Sequence, residues 1–275
     1  MKVLFDNSGQ TCNKFWGYLY PLTEAILHKQ KYIVPFYDVT IDSFPNLLSN
    51  QYFYYPFYSK IMHKIFGINK YMDKLRVIGR YLFLEKLPQK WPKLFVDGWS
   101  TRYYPLDKST KEEIKRVFMP VDEIVSPTKQ LFELQKKKYD LIIGVHIRRG
   151  DYTKWHNGSF CYTFDDYASL CKQLISLFID KNILFFISSN EKVPELSFQG
   201  LNIFVNPLNS AVADLYSLSL CDFIFGPPSS FSRFASYYGD VPISFITDIR
   251  NHIFDFRTIA SYNKYSNGEK VEFDF

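Results

Sequence analysis

Apolar runs of strand length alternate with segments of helical periodicity through the second half of the chain. Leu141–Ile147 is a continuous apolar, β-branched run, which is typical of a strand buried on both faces. Further strands are predicted at residues 183–188, 202–205, 222–225 and 242–246, and helices at 165–179, 211–220 and 230–238. Strands that alternate with helices predict βα units, a parallel sheet and right-handed crossovers.

The first half shows the same alternation less regularly. Strands are predicted at residues 2–5, 32–37 and 94–96, and helices at about 13–28, 60–87, 109–118 and 128–138. The helix at 109 is expected to open with a Ser-Thr-Lys-Glu capping box. Residues 51–58 are almost all aromatic, and they are interpreted either as core packing or as a surface for sugar rings or a membrane edge. A domain boundary is expected between about residues 120 and 138.

Composition narrows the classes of protein. A chain of 275 residues with a net charge of +5, spread along its length, fits an anionic small molecule or an acidic membrane surface and does not argue for nucleic acid. The four cysteines form no Cys-x-x-Cys pair, which predicts free thiols in a reducing compartment. No signal peptide or spanning segment is recognised, so a cytoplasmic location is expected, with the inner surface of the membrane as an alternative.

Polar side chains follow three of the predicted strands. Arg148, Arg149, Gly150 and Asp151 come first, and the groups 188–190 (Ser-Ser-Asn) and 227–230 (Pro-Pro-Ser-Ser) follow. The carboxyl ends of parallel strands share one edge of the sheet, where open sheets bind ligands. Paired guanidiniums and a helix start suit phosphate. The alternative is a solvated basic turn with serines that only cap helices.

The chain contains no Asp-x-Asp pair to hold a metal on a nucleotide-sugar diphosphate. A diphosphate leaving group still develops negative charge in the transition state. Without metal, that charge has to be stabilised by arginines and a helix N-terminus. Chemistry without metal or cofactor is therefore expected.

Residues 146–152, His-Ile-Arg-Arg-Gly-Asp-Tyr, resemble the His-x-Arg-Arg-Gly-Asp-Tyr signature of the α-1,2-fucosyltransferase family. Residues 7–18 loosely resemble the loop that opens that family, and 96–99 resemble its Asp-Gly-Tyr segment. Residues 214–221 and 229–232 resemble its third motif, in which an Asp and a Ser serve the donor. The chain departs from the family at 7–12, which is not glycine-rich, at Asn190, where acidic residues are common, and at 232–234. These departures leave the acceptor and the exact donor open.

The resemblance implies an α/β, GT-B fold, with two Rossmann-like domains facing across a cleft. Residues 1–130 would bind the acceptor and 131–275 would bind GDP-fucose. Transfer to a glycan hydroxyl would invert the anomeric centre without metal, and bacterial surface polysaccharide synthesis is the expected setting. Two alternatives stay open: a transferase that uses another nucleotide sugar, and a non-catalytic glycan-binding protein.

The resemblance also implies roles for individual residues. The expected donor-binding residues are His146, Arg148, Arg149, Ser188, Asn190, Asp214, Ser229, Ser230 and Phe231. The expected catalytic residues are Arg149, Asp151 and Asp214, with Arg149 neutralising the diphosphate as it leaves. His146 either contacts the donor or is a satisfied core histidine. The base that activates the acceptor stays unassigned among Asp151, His156, Asp6 and Asp97.

Overall fold

A computed structural model of the chain describes residues 1–4, 11–35, 39–56, 95–96 and 107–259. The chain divides into two compact units, of which the first contains Met1–Val121 and the second begins at Asp122. The helices predicted at 60–87, the Asp-Gly-Trp segment at 97–99, and Asp6 lie outside the described residues. Over the described ranges, none of the helices combines the length and the apolar character needed to cross a membrane.

The first unit contains a parallel sheet with the order β3-β2-β1-β4. Its strands are β1 (Lys2–Leu4), β2 (Tyr32–Ile33), β3 (Phe53–Tyr54) and β4 (Phe95–Val96). Its helices are α1 (Thr11–His28), α2 (Pro45–Leu48) and α3 (Lys108–Val117), with a 3₁₀ turn at Val39–Ser43. Asp107 caps α3 by accepting from Thr110 N. The helix therefore begins at Lys108, and the prediction that it opens with a capping box at Ser109 was wrong.

Aromatic side chains fill the core of the first unit. The rings of Phe15 and Phe44 meet edge to face at 4.8 Å, and Phe118 lies 5.1 Å from Phe15. Within the aromatic segment 51–58, Tyr52 and Phe53 are buried while Tyr54 is exposed. Core packing therefore accounts for these two buried rings, as one interpretation of the segment predicted.

The second unit is built on a five-stranded parallel sheet with the order β7-β6-β5-β8-β9. Its strands are β5 (Leu141–Ile147), β6 (Ile183–Ser189), β7 (Ile203–Phe204), β8 (Phe223–Gly226) and β9 (Ile243–Phe245). Its helices are α4 (Asp122–Lys136), α5 (Phe164–Leu177), α6 (Ala211–Leu218) and α7 (Ser230–Gly239). The predicted alternation of strands and helices is confirmed here. Helix α4, however, begins at Asp122 and includes Pro127, whereas the prediction began at residue 128.

Burial on both faces explains the apolar runs of β5 and β6. All residues of β5 after Leu141 are buried, and all residues of β6 are buried up to Ser188. These two strands pair along their full length, with His146 opposite Ser188. Strand β8 lies on the other side of β5, which makes β5 the central strand. The polar turn that follows β5 is therefore flanked by the turns that follow β6 and β8.

Candidate functional site

Strand β5 ends at Ile147 and leads directly into the two arginines. The chain then turns through a 3₁₀ segment, Gly150–Thr153. Gly150 has φ 62°, a left-handed conformation that glycine adopts without steric cost. A Cβ atom at this position would also lie 3.1 Å from Asn190 Nδ2. The sharp turn at Gly150 follows both arginines, which lie at the end of the central strand.

Arg148 turns toward the residues just after it. Its Nη2 donates to Asp151 Oδ2 at 2.9 Å. Its guanidinium carbon also lies 5.7 Å from the centre of the Tyr152 ring, within the range of a cation–π contact. Asp151 therefore orients Arg148.

Arg149 is held by side chains and backbone from three segments. Its Nε donates to Glu191 Oε2 at 2.9 Å, and its Nη1 donates to the Tyr162 carbonyl oxygen at 3.0 Å. The guanidinium carbon lies 5.1 Å from the centre of the Phe164 ring. Contacts from different directions restrict the rotamers of a long side chain, so the guanidinium plane of Arg149 has a defined orientation.

Asn190 joins the turn after β6 to the turn after β5. Its Oδ1 accepts from Arg149 N at 2.9 Å, and its Nδ2 donates to Arg149 O at 3.2 Å. A side-chain amide can match one residue's backbone donor and acceptor in this way because it carries one of each. The structure therefore brings together the first two polar groups that the sequence placed at this edge.

Tyr152 joins the turn after β5 to the turn after β8. Its hydroxyl donates to Pro228 O at 2.7 Å and is hydrogen-bonded to the Ser229 side chain. Ser229 is the N-cap of α7, where its Oγ accepts from Phe231 N at 3.2 Å. The predicted cap is thus Ser229, and Ser230 is the first helical residue. All three polar turns are linked at one edge of the sheet.

His146 lies beneath this edge. Its ring stacks on the Phe231 ring with 5.2 Å between centroids, and its Nδ1 has no hydrogen-bond partner among the described residues. Burial, together with the charge of Arg148, lowers the pKa of His146 to about 3, so the imidazole is neutral. The backbone of β8 approaches closely, since a Cβ at Gly226 would lie 2.4 Å from His146 O. A buried ring with an unpaired nitrogen is not a fully satisfied core histidine.

Asp214 lies in the first turn of α6, beyond the cap. The cap is Ser210, whose side chain accepts from Ala213 N at 3.1 Å. Burial raises the pKa of Asp214 to about 7, and a hydrogen bond with Ser188 partly opposes this shift. Asp214 therefore does not cap the helix. It contacts Ser188 of β6, the residue that lies opposite His146 in the sheet. A carboxyl group that titrates near neutral pH is a typical feature of functional sites.

His156, one of the four candidate bases, is exposed and lies in a turn after the arginines. It has φ 47° and Asn157 has φ 57°, both left-handed, and the His156 ring packs edge-on against Trp155 at 4.4 Å. Strained non-glycine residues of this kind are found more often at functional sites. Asp6 and Asp97 lie outside the described residues, so their candidacy as bases stays a prediction.

Glu191 and Tyr152 were not assigned roles from the sequence, and both are central to the geometry. Glu191 directly follows Asn190, so its place after β6 was a usable signal. Tyr152 belongs to the arginine stretch, but only the fold shows that its hydroxyl reaches Pro228 across the sheet edge. Contacts between turns that are distant in sequence cannot be read from spacing.

Comparisons with solved structures identify the fold. POFUT1, solved in complex with GDP-fucose, matches over 88% of this chain and 96% of its own, with TM-score 0.52 and 11% identity. The fucosyltransferase NodZ from Bradyrhizobium matches over 90% and 93%, with TM-score 0.50 and 16% identity. FUT1 of Arabidopsis thaliana, as an R284K mutant in complex with GDP, matches over 88% of this chain and 69% of its own, with TM-score 0.50 and 15% identity.

No protein-family model matches the chain, and no curated protein matches its sequence. The likeness is one of structure, and at these identities it defines the fold alone. The predicted fold class is confirmed: this is an α/β chain with the GT-B fold of fucosyltransferases, and parallel sheets of Rossmann type form its units.

Proposed function

We propose that the chain is an inverting, metal-independent glycosyltransferase that moves fucose from GDP-fucose to a hydroxyl of a glycan acceptor. The observation that carries the proposal is the joining of three strand-end turns, two arginines and a helix start at one sheet edge. That edge lies in the fold of proteins solved with GDP-fucose or GDP. Guanidiniums and the N-terminus of a helix are both favourable for binding anions.

The diphosphate would be bound by Arg148, Arg149 and the first turn of α7. Helix α7 begins at this edge with Ser229 as its cap, and the first backbone N–H groups of a helix have no partners within the helix. Ser230 is half-buried at this position and would add a hydroxyl. Preorganised donors of this kind stabilise charge that develops on a leaving group.

The nucleoside would be recognised beside the diphosphate, by Asp214, Ser188, His146 and Phe231. An ionised Asp214 carboxylate can accept two hydrogen bonds. Guanine presents two adjacent N–H donors on its Watson–Crick edge, whereas uracil presents one. This match of donors to acceptors favours GDP over UDP.

In the proposed reaction the acceptor oxygen attacks the anomeric carbon from the face opposite the diphosphate. The bond from that carbon to the phosphate oxygen breaks, and its electron pair stays on the diphosphate, next to Arg149. The acceptor proton passes to a base, for which Asp151 and His156 are the candidates within the described ranges. Attack from the opposite face inverts the anomeric centre.

The remaining parts of the proposal follow the resemblance. Residues 131–275 would hold the donor and residues 1–130 the acceptor, with an α-1,2 linkage as the first product to test. Synthesis of a bacterial surface polysaccharide, in the cytoplasm or at the inner membrane surface, is the proposed setting. A different nucleotide sugar and a non-catalytic glycan-binding role are the competing functions.

A donor panel tests the proposal. Initial rates of sugar transfer are measured with GDP-fucose, GDP-mannose and UDP-sugars, with and without EDTA, and the product anomer is assigned by NMR. We expect transfer from GDP-fucose that survives EDTA and gives the inverted anomer. Transfer only from a UDP-sugar, or transfer restored after EDTA by magnesium or manganese, would contradict the proposed donor site. Glycan binding without any nucleotide binding would favour the binding-protein alternative.

A further inference from the structure

Glu191 places a negative charge at the edge where the diphosphate is proposed to bind. The residue follows the end of β6, and its backbone N donates to Ser189 Oγ at 3.1 Å. Its Oε2 accepts from Arg149 Nε at 2.9 Å, with side-chain exposures of 40% for Glu191 and 27% for Arg149. A carboxylate in this place repels the ligand that the arginines attract.

Orientation alone does not account for this carboxylate. Arg149 is already fixed by the Tyr162 carbonyl, by the Phe164 ring and, through its backbone, by Asn190. Glu191 engages Arg149 Nε, and the Tyr162 carbonyl engages one N–H of Nη1. Within the part of the chain that the structure describes, the remaining guanidinium N–H groups are available for a ligand. Glu191 is the acceptor for Arg149 Nε, and what it adds beyond a neutral acceptor is its charge.

Each arginine of the turn is paired with a carboxylate, Arg148 with Asp151 and Arg149 with Glu191. The four side chains together have no net charge. An edge of this kind can bind an anion through directed hydrogen bonds. Additional negative charge on the ligand, however, gains little binding free energy there. Electrostatic complementarity of this type sets selectivity more than raw affinity.

The two nucleotides of the proposed reaction differ in charge. In the donor the terminal phosphate is esterified to the sugar and keeps one ionisable oxygen, whereas in free GDP the sugar ester is absent and a second proton dissociates with a pKa of about 6. The product is therefore more negative than the donor at neutral pH. A fixed carboxylate beside the phosphates disfavours the product more than the donor.

We infer that Glu191 is a charge-selecting residue, which lowers the affinity of the site for the nucleoside diphosphate product relative to the sugar-linked donor. This inference rests on the proposed function. Glu191 thereby favours release of the product after transfer and limits inhibition by free GDP. The alternative is an ordinary ion pair that holds the turn after β6, without effect on the relative affinities.

The test compares GDP and GDP-fucose, titrated calorimetrically without acceptor into the wild type, Glu191→Gln and Glu191→Asp. Glutamine keeps an acceptor for Arg149 Nε and loses the charge. We expect Glu191→Gln to increase the affinity for GDP by about two- to fivefold more than the affinity for GDP-fucose, which is the usual size of an exposed charge interaction. The difference should become smaller at high salt. Glu191→Asp keeps the charge and should retain the wild-type affinity ratio.

The matched control is Glu113→Gln in the first unit. Glu113 forms a similar pair with Arg116, at 2.7 Å between Oε2 and Nε, so the same charge is removed in the other compact unit. It should leave the GDP to GDP-fucose ratio unchanged. An equal change in both titrations, or the same ratio in wild type and Glu191→Gln, overturns the inference while the donor site stands. A wild type that binds neither nucleotide overturns the proposed function and the inference together.

Discussion

The two ends of the five-stranded sheet use similar side chains for different purposes. At the carboxyl end, Arg148 and Arg149 pair with carboxylates from turns after β5 and β6. At the amino end, Asp222 accepts from Ile142 N at 2.8 Å and lies 3.8 Å from Lys136 Nζ. That end also contains an apolar cavity of about 450 Å³. It is lined by Leu141, Ile143, Leu177, Phe178, Asp222, Phe223, Pro242 and Phe256.

The difference lies in what each charged group holds. Asp222 satisfies a backbone N–H of the central strand, so its contribution is to the stability of the sheet. The carboxyl-end groups connect loops at the edge where the diphosphate is proposed to bind. Similar charged pairs therefore occur at both ends of the parallel sheet, and a pair suggests a ligand site when it lies at the carboxyl end. The predictions below separate the two ends by their effect on transfer and on stability.

Arg149→Lys should have the largest effect on transfer. Lysine keeps the positive charge but cannot donate to both Glu191 and the Tyr162 carbonyl while also contacting phosphate. Loss of one positioned donor to developing charge typically costs about a hundredfold or more in turnover. We expect normal folding, weaker GDP binding and initial rates lower by about that factor. Arg116→Lys, which alters the arginine of the Glu113 pair, should change none of these, and equal losses in both variants would contradict the role of the sheet edge.

Asp214→Asn should reduce GDP binding by about tenfold, because an asparagine amide replaces one acceptor oxygen with a donor. Since the pKa of Asp214 is raised to about 7, donor binding by the wild type should also strengthen as pH rises through neutrality and the carboxyl group ionises. The measurement is calorimetric GDP titration between pH 5.5 and 8.5. Wild-type affinity that is flat across this range would contradict the assignment.

Asp214→Asn should also change how the free energy of unfolding depends on pH. Between its ordinary pKa of 3.8 and about 7, Asp214 is protonated in the folded chain and ionised in the unfolded chain. The group therefore lowers the free energy of unfolding as pH rises through this window. Melting temperatures of the wild type should fall relative to Asp214→Asn from pH 4 to pH 8. Parallel profiles would show that the carboxyl group is not buried as the structure has it.

Tyr152→Phe should produce a smaller loss. The variant keeps the ring beneath Arg148 but removes the hydroxyl that joins Pro228 to the arginine turn. We expect turnover several-fold lower and a free energy of unfolding lower by about 1 kcal/mol, the usual net value of one hydrogen bond. Tyr52→Phe, which removes a partly buried hydroxyl bonded to Glu113, should match the stability change without the change in turnover.

Asp222→Ala tests the amino end and should have the smallest effect on transfer. It leaves Ile142 N without its side-chain acceptor, which should lower the free energy of unfolding by about 1 kcal/mol. Turnover per folded molecule should equal that of the wild type. A large loss of transfer with stability unchanged would reverse the comparison between the two ends of the sheet.

The sequence was informative where function depends on periodicity and strand ends. The apolar run Leu141–Ile147 predicted the central strand, and the parallel arrangement predicted that three polar turns would meet. A serine cap at Ser229 or Ser230 followed from the place of these residues before a helix, and the structure has Ser229 as the cap. Each of these depends on local pattern or on a general rule of sheet topology.

Other features depended on contacts that spacing does not encode. The pairing of Arg149 with Glu191 joins residues in different turns, and the Tyr152 hydroxyl reaches a carbonyl in the turn after β8. Asp214 was expected to support the arginines or the donor, and the structure places it against Ser188. The start of α4 was missed because helix α4 continues through Pro127, a residue type that usually marks a helix end or a first turn.

The most direct test of the central claim is the melting temperature of the wild-type chain with GDP and with UDP. If GDP bridges the arginine turn and the start of α7, ligand at about a hundred times its dissociation constant should add roughly 2.7 kcal/mol to the free energy of unfolding. We predict a clear upward shift with millimolar GDP that Arg149→Lys diminishes, and a small shift with UDP. A melting curve that UDP raises and GDP leaves unmoved would contradict the assignment of this sheet edge as a guanosine diphosphate site.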